Sequence, residues 1–253
     1  MHVILLTLGI AGWVQSASQS PPAPADTGFH HIRWYEAAVA VGGTAAVMLA
    51  DQPVQRFVQR HRTRTTDDLA DVFRQGGEAP VALLATGGLA LSGIIAKDDK
   101  LRDDGVRAGV SIVVGTVAAE ALKYGLGRGR PASFNSATNF RLFTGEHDSL
   151  GVESRGSFPS GHTVVAFALA TSLADDIHRT PASVALFAIA AGTGLSRLND
   201  DRHWLSDVVG GMLIGVTSAR LVSGRWRAFG LRPPSVLLAP DCVALRWHQA
   251  LGP

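Results

Sequence analysis

Lys123 and Arg130 stand seven residues apart, with Gly125, Gly127 and Gly129 between them and Pro131 directly behind. A lysine supplies a point charge and an arginine a planar fork of donors, and both suit phosphate oxygens. The intervening glycines let the backbone bend and approach a ligand closely. A second cluster, Ser157-Phe158-Pro159-Ser160-Gly161-His162, runs straight into an apolar helical segment. Ser160 stands at the N-cap position, so the first backbone N–H groups face outward at the positive end of the helix dipole. A helix start of this kind is a ready anion site, and His162 adds a titratable imidazole to its first turn. The third cluster is Ser196-Arg197, then His203, then Asp207. On a helix, His203 and Asp207 would share one face. The carboxylate could then accept the Nδ1 proton, fix the tautomer and leave Nε2 bare as a nucleophile. Each cluster alone has an ordinary explanation: a basic helix end, a capped helix with a surface histidine, an incidental His–Asp pair. Together they describe a phosphate site with an acid and a nucleophile.

The pattern Lys123-x6-Arg130-Pro131, Pro159-Ser160-Gly161-His162 and Ser196-Arg197-x5-His203-x3-Asp207 resembles the type 2 phosphatidic acid phosphatase (PAP2) and vanadium haloperoxidase superfamily. All three motifs are complete, in order and at the family's internal spacings, and the resemblance covers residues 32–222. It implies an all-α bundle and a metal-independent phosphatase acting on phosphate monoesters or diphosphates. It implies that His203 is the nucleophile and forms a phosphohistidine, with Asp207 holding and polarising it. His162 would protonate the leaving oxygen and then act as base for the attacking water. Lys123, Arg130 and Arg197 would hold the phosphoryl oxygens, and Ser160 and the Gly161 N–H would complete the cradle. No metal is implied, and none of the clusters is a carboxylate-rich ligand set. Vanadate can occupy the same cradle, so vanadate-dependent halide oxidation is a second implied chemistry, although the family's haloperoxidases are much longer chains. The expected substrate is a phosphorylated lipid, because apolar helices surround the motifs. A small soluble phosphate ester is the alternative, because those helices are short. A non-catalytic envelope protein binding anionic lipid would use the same basic residues, but the complete His162, His203 and Asp207 set argues against it.

The remaining chain must position these residues. Its 253 residues suffice for one large domain or two small ones. Charged residues make up 17%, below the roughly 25% of a soluble domain, and hydrophobic residues 46%, so the chain can bury a large core and touch lipid. Net charge is +2 and the basic residues are dispersed, which argues against nucleic-acid binding. Cys242 is the sole cysteine, so neither an intrachain disulfide nor a thiolate metal site is available. Residues 1–20 read as a signal peptide with an apolar stretch at 3–14 and small residues Ser16, Ala17 and Ser18. The absence of Lys or Arg ahead of that stretch keeps an uncleaved anchor open. Residues 21–31 form a proline-bearing linker, 32–222 the phosphatase-like domain and 223–253 a tail. The implied location is the cell envelope, with a periplasmic site.

Apolar helices are expected at 32–50, 80–96, 105–124, 162–174, 181–195 and 203–222, a bundle of about six. Asp51-Gln52-Pro53 should end the first. Residues 54–75 read as a charged amphipathic segment with a fresh helix near Thr66, closed by Gly76 and Gly77. Its Arg56, Arg60, Arg62 and Arg64 suit either anionic headgroups or a solvated face. Residues 97–104 read as a charged loop and 125–159 as a long irregular region, a length that marks functional loops. His147 and Asp148 in that region could line an entrance. Asp200, Asp201 and Arg202 crowd His203, and Trp204 should pack the bundle. Residues 235–238 and 242–247 could form a hairpin. The uncharged run 80–96 is at the lower edge of spanning length, so membrane-embedded and membrane-peripheral bundles both fit.

Overall fold

In the computed structural model the described residues are 5–6, 30–134, 136–144, 154–177, 179–228, 235–239 and 242–246. Most of the expected signal peptide and of the linker, together with His147 and Asp148, lies outside them. The elements run β1 (Leu5–Leu6), β2 (His30–Ile32), α1 (Trp34–Val47), α2 (Asp51–Arg60), α3 (Arg64–Gln75), α4 (Ala79–Ala96), α5 (Asp99–Leu126), α6 (Gly161–Ile177), α7 (Thr180–Asn199), α8 (Leu205–Val222), β3 (Trp226–Ala228), β4 (Ser235–Ala239) and β5 (Cys242–Arg246). The chain divides into two compact units. The smaller, Met1–Arg33 with Leu221–Pro253, carries β2 parallel to β3 and an antiparallel sheet in the order β1-β5-β4. Its β4–β5 pair, with Ala239 opposite Cys242, is the expected hairpin.

The larger unit, Trp34–Arg220, is built of helices. More helices form than the sequence suggests, for identifiable reasons. Asp51 does not end the first apolar run; it opens α2 and is fully buried. α3 starts one residue after Thr63, whose hydroxyl accepts from the Thr66 N–H while the Thr66 hydroxyl accepts from the Thr63 N–H, a reciprocal capping box. Arg56, Arg60, Arg62 and Arg64 are exposed. The expected charged loop at 97–104 is instead the first turns of α5. The Asp98 carboxylate accepts from Leu101 N–H, and Lys100–Asp104 and Arg102–Asp99 pair at 2.6 Å with helical spacing. α5 ends at Gly127, whose φ is 51°. A Cβ there would come within 1.9 Å of the Arg141 carbonyl oxygen, so glycine both stops the helix and admits the returning loop. Lys123 thereby sits in the last turn of α5.

α6 is the central helix, with Thr163 to Ala168 all buried. α5, α7 and α8 pack around it through small residues. A Cβ at Gly211 of α8 would lie 2.6 Å from the Ser160 carbonyl oxygen, so α8 rides directly on the start of α6. Outward faces are apolar instead: Leu84, Ile95, Val117 and Leu195 are exposed. Among the described residues, five helical stretches are long and apolar enough to cross a membrane: Trp34–Arg60, Ala79–Ala96, Asp99–Leu126, Thr180–Asn199 and Leu205–Val222. With apolar faces outside and polar groups within, the chain is a membrane protein.

Candidate active site

The end of α5, the start of α6 and the turn between α7 and α8 surround a cavity of about 280 Å³. Lys123, Arg130, Gly161, His162, Arg197 and His203, all expected from the sequence, line it. Arg74, Glu78 and Arg202 complete the wall. Ser160 and Asp207 stand behind it, fully buried.

His203 is not helical. α8 begins at Leu205, so the expected shared helix face with Asp207 does not form. His203 lies in the preceding turn, 5% exposed, with Nδ1 2.7 Å from the Ser157 carbonyl oxygen and 3.6 Å from Asp207 Oδ2. A carbonyl can only accept, so Nδ1 carries the proton and the neutral ring leaves Nε2 bare. Burial pushes the imidazole down to about 4, against the opposite pull of the Asp207 carboxylate and the Ser157 carbonyl. His203 is therefore neutral at pH 7.

Asp207 acts on His203 through intermediaries. Its Oδ2 accepts from Ser157 Oγ at 2.5 Å and from the Trp204 N–H at 2.8 Å. The latter is an N3 carboxylate reaching back to the N-cap amide. Its Oδ1 accepts from Arg128. Ser157 thus holds the carboxylate with its side chain and the imidazole with its backbone.

Arg128, unheralded by the motifs, is fully buried. Its Nη1 donates to Ser206 Oγ (2.7 Å) as well as to Asp207, its Nη2 to Asp51 Oδ2 (2.7 Å), and its Nε to the Ala137 carbonyl (2.9 Å). Asp51 also accepts from the Ser206 N–H and hydroxyl, at 2.8 and 2.6 Å. This Asp51–Arg128–Asp207 chain ties α2, the segment after α5 and α8 together behind the cavity. Every oxygen of both carboxylates has a donor, as buried charge requires. The sequence held a faint signal: a second arginine between the glycines, and an aspartate closing a long apolar run.

The cations face the other way. Arg130 is nearly buried, with its N–H on the Ser154 carbonyl (2.9 Å) and its Nε on that of Arg155 (3.2 Å). Arg197 pairs with Asp200, and its Nε is buried with no partner, a donor in want of an acceptor. A Cβ on Gly161 would be 3.5 Å from Lys123 Nζ, so that ammonium faces the start of α6. The Ser160 hydroxyl accepts from Thr163 Oγ1 (2.9 Å), and its N–H donates to the Asp207 carbonyl (3.0 Å). Trp204 packs as expected, with Nε1 2.9 Å from the Gly129 carbonyl.

His162 Nε2 lies 3.3 Å from Glu78 Oε1. Burial lowers the His162 pKa, with Arg197 adding to the effect and Glu78 opposing it. Among the described residues no group of three or more His, Cys, Asp or Glu side chains could hold a metal ion.

The chain is similar to known proteins. The PAP2 superfamily model matches residues 104–229. A lipid A 1-phosphatase of Porphyromonas gingivalis is 44% identical over 72 residues, 28% of this chain and 16% of that protein. A lipid A 1-phosphatase of Rhizobium johnstonii is 33% identical over 52% of this chain and 50% of that protein. The chain thus spans at most half of these curated relatives. The crystal structure of a transmembrane PAP2-type phosphatidylglycerolphosphate phosphatase from Bacillus subtilis superposes with a TM-score of 0.58 at 21% identity, over 74% of this chain and 92% of that one, and shares the fold. Helical core, motif spacing and model match all point to the PAP2 superfamily, whose model covers residues 104–229 of this chain.

Proposed function

We propose that the chain is a metal-independent phosphatase of phosphorylated lipids, acting on monoesters or diphosphates through a phosphohistidine on His203. The observation that carries this reading is the state of His203. A neutral imidazole with Nδ1 on the Ser157 carbonyl and Nε2 bare lines a cavity that also holds Arg74, Lys123, Arg130, Arg197 and Arg202. Nε2 attacks phosphorus, the bond to the leaving oxygen breaks, and His162 gives that oxygen its proton. Water then attacks phosphorus and yields a proton to His162, the P–N bond breaks, and His203 returns neutral as phosphate leaves. Lys123, Arg130 and Arg197 neutralise the charge that grows on the non-bridging oxygens. Asp207 keeps His203 in place through Ser157 and the Trp204 amide.

A lipid substrate is supported by the membrane-length helices around the cavity and by relatives named for lipid A. A periplasmic position of the site is supported by the export-like apolar stretch at 3–14. The test is turnover of an aryl phosphate and of a phosphatidate by detergent-purified protein with chelator present. Both should be hydrolysed, the phosphatidate with the higher kcat/KM, and His203→Ala should lose roughly a thousandfold or more. Activity surviving in that variant contradicts the nucleophile, activity lost to chelator contradicts the metal-free reaction, and preference for the aryl ester points to a soluble substrate.

A further inference from the structure

Among the described residues lining the cavity Glu78 is the one acid, where arginines and a lysine dominate. In a site that receives phosphate, a carboxylate repels the ligand, so its place there needs a reason. Helix capping does not supply it. Glu78 occupies the N-cap position of α4, yet its side chain makes no capping bond. It turns instead to His162, with Oε1 3.3 Å from Nε2. The chain brings it there by close approach. A Cβ on Gly77 would lie 2.6 Å from His162 Cβ and 2.7 Å from the His162 carbonyl oxygen, so only glycine lets the turn between α3 and α4 rest on the start of α6.

We propose that Glu78 is a positioning residue for His162: its carboxylate holds the imidazole at the cavity wall and keeps on it the proton that the leaving oxygen receives. This rests on the reading of His162 as the acid. Nε2 is the atom concerned, and an arriving leaving oxygen would compete with Oε1 for the same proton. The other groups facing His162 oppose protonation. Arg74 comes from α3, Lys123 from α5 and Arg197 from α7; Arg130, Arg202 and His203 lie across the cavity. Glu78 is the counterweight to that positive field, and it lowers phosphate affinity as a consequence.

The test compares Glu78→Gln with Glu78→Asp and His162→Ala on an alkyl phosphate and an activated aryl phosphate, as full pH–rate profiles. In Glu78→Gln the alkaline limb should move about one pH unit lower, as loss of an opposite charge at this range dictates. On the alkyl ester at neutral pH kcat should fall about tenfold, and on the aryl ester less than about twofold, because a good leaving group needs little protonation. KM should stay or fall, since a repelling charge is gone. Glu78→Asp, which keeps the charge, should hold the limb closer to its original position. If the Glu78→Gln limb does not move while His162→Ala abolishes it, Glu78 alone is overturned. If both substrates lose rate equally with the limb unmoved, the role is merely structural and the proposal fails. If the limb survives His162→Ala, the acid assignment itself falls, and the role of Glu78 with it.

Discussion

The imidazole Nδ1 of His203 rests on the backbone carbonyl of Ser157, 2.7 Å away, and not on the carboxylate of Asp207. A backbone carbonyl cannot be mutated away, whereas the carboxylate that anchors its residue can. Asp207→Asn replaces one acceptor by a donor where Ser157 Oγ, Trp204 N–H and Arg128 all donate. It also leaves Arg128 half-compensated, a defect costing about 3–5 kcal/mol. The variant should lose both stability and kcat. Ser157→Ala keeps the carbonyl and removes one hydrogen bond, so its stability loss should be about 1 kcal/mol, with the nucleophile still competent. Thermal unfolding and single-turnover rates check the pair. Equal damage from both would show that the nucleophile depends on the Ser157 hydroxyl and not on the carbonyl that Ser157→Ala retains.

The same chain reaches Asp51. Fully buried, it neutralises Arg128 and caps Ser206 at the start of α8. Asp51→Asn should lower stability by about 3 kcal/mol or more, because it strands buried positive charge. Asp51 is not among the residues lining the cavity, so the folded fraction should keep substantial activity. Activity normalised to folded protein, measured alongside the melting curve, separates the two effects.

What the sequence revealed and what it hid divide along a physical line. Motif residues that face the cavity are legible, because chemistry restricts their type and spacing: Lys123, Arg130, His162, Arg197 and His203 all reach it. Partners that act through space are not. Asp51 and Arg128 are 77 residues apart in the chain, and no local pattern announces a buried ion pair of that separation. Glu78 belongs to none of the motifs and follows the two glycines that close the amphipathic stretch. The four-residue spacing of His203 and Asp207 pointed to a helix face, but the N-cap at Trp204 puts His203 outside α8, and the backbone of Ser157 takes the bond instead. The charged stretch 97–104 read as loop because its charges were counted without their pairing at helical spacing.

Arg197 carries a prediction about phosphate itself. Its Nε is buried and unpartnered, although Asp200 takes one end of the guanidinium. Arg197→Lys preserves charge but removes the planar fork. If the fork meets the phosphoryl oxygens as proposed, competitive inhibition by inorganic phosphate should weaken about tenfold, with a larger fall in kcat/KM, because those oxygens gain charge in the transition state. Unchanged inhibition would show that the donor does not meet the phosphoryl group.

The two histidines set a pH window, and the sign follows from their opposite duties. His203 must be neutral to attack, and burial holds it down to about 4, so rate should fall as pH drops through that value. His162 must be protonated to serve the leaving oxygen, and burial with Arg197 holds it below the ordinary histidine value, about 6.5. Rate should therefore fall as pH rises through a point lower than that. The product is a bell in kcat/KM with an acidic optimum. The second ionisation of the substrate phosphate, near pH 6, enters the same range. Two substrates of different phosphate acidity separate the contributions, since limbs belonging to the enzyme stay fixed between them. An acid limb near 6.5 instead of near 4 would mean that His203 is solvated in the working enzyme, and the bare, buried Nε2 would no longer explain the chemistry.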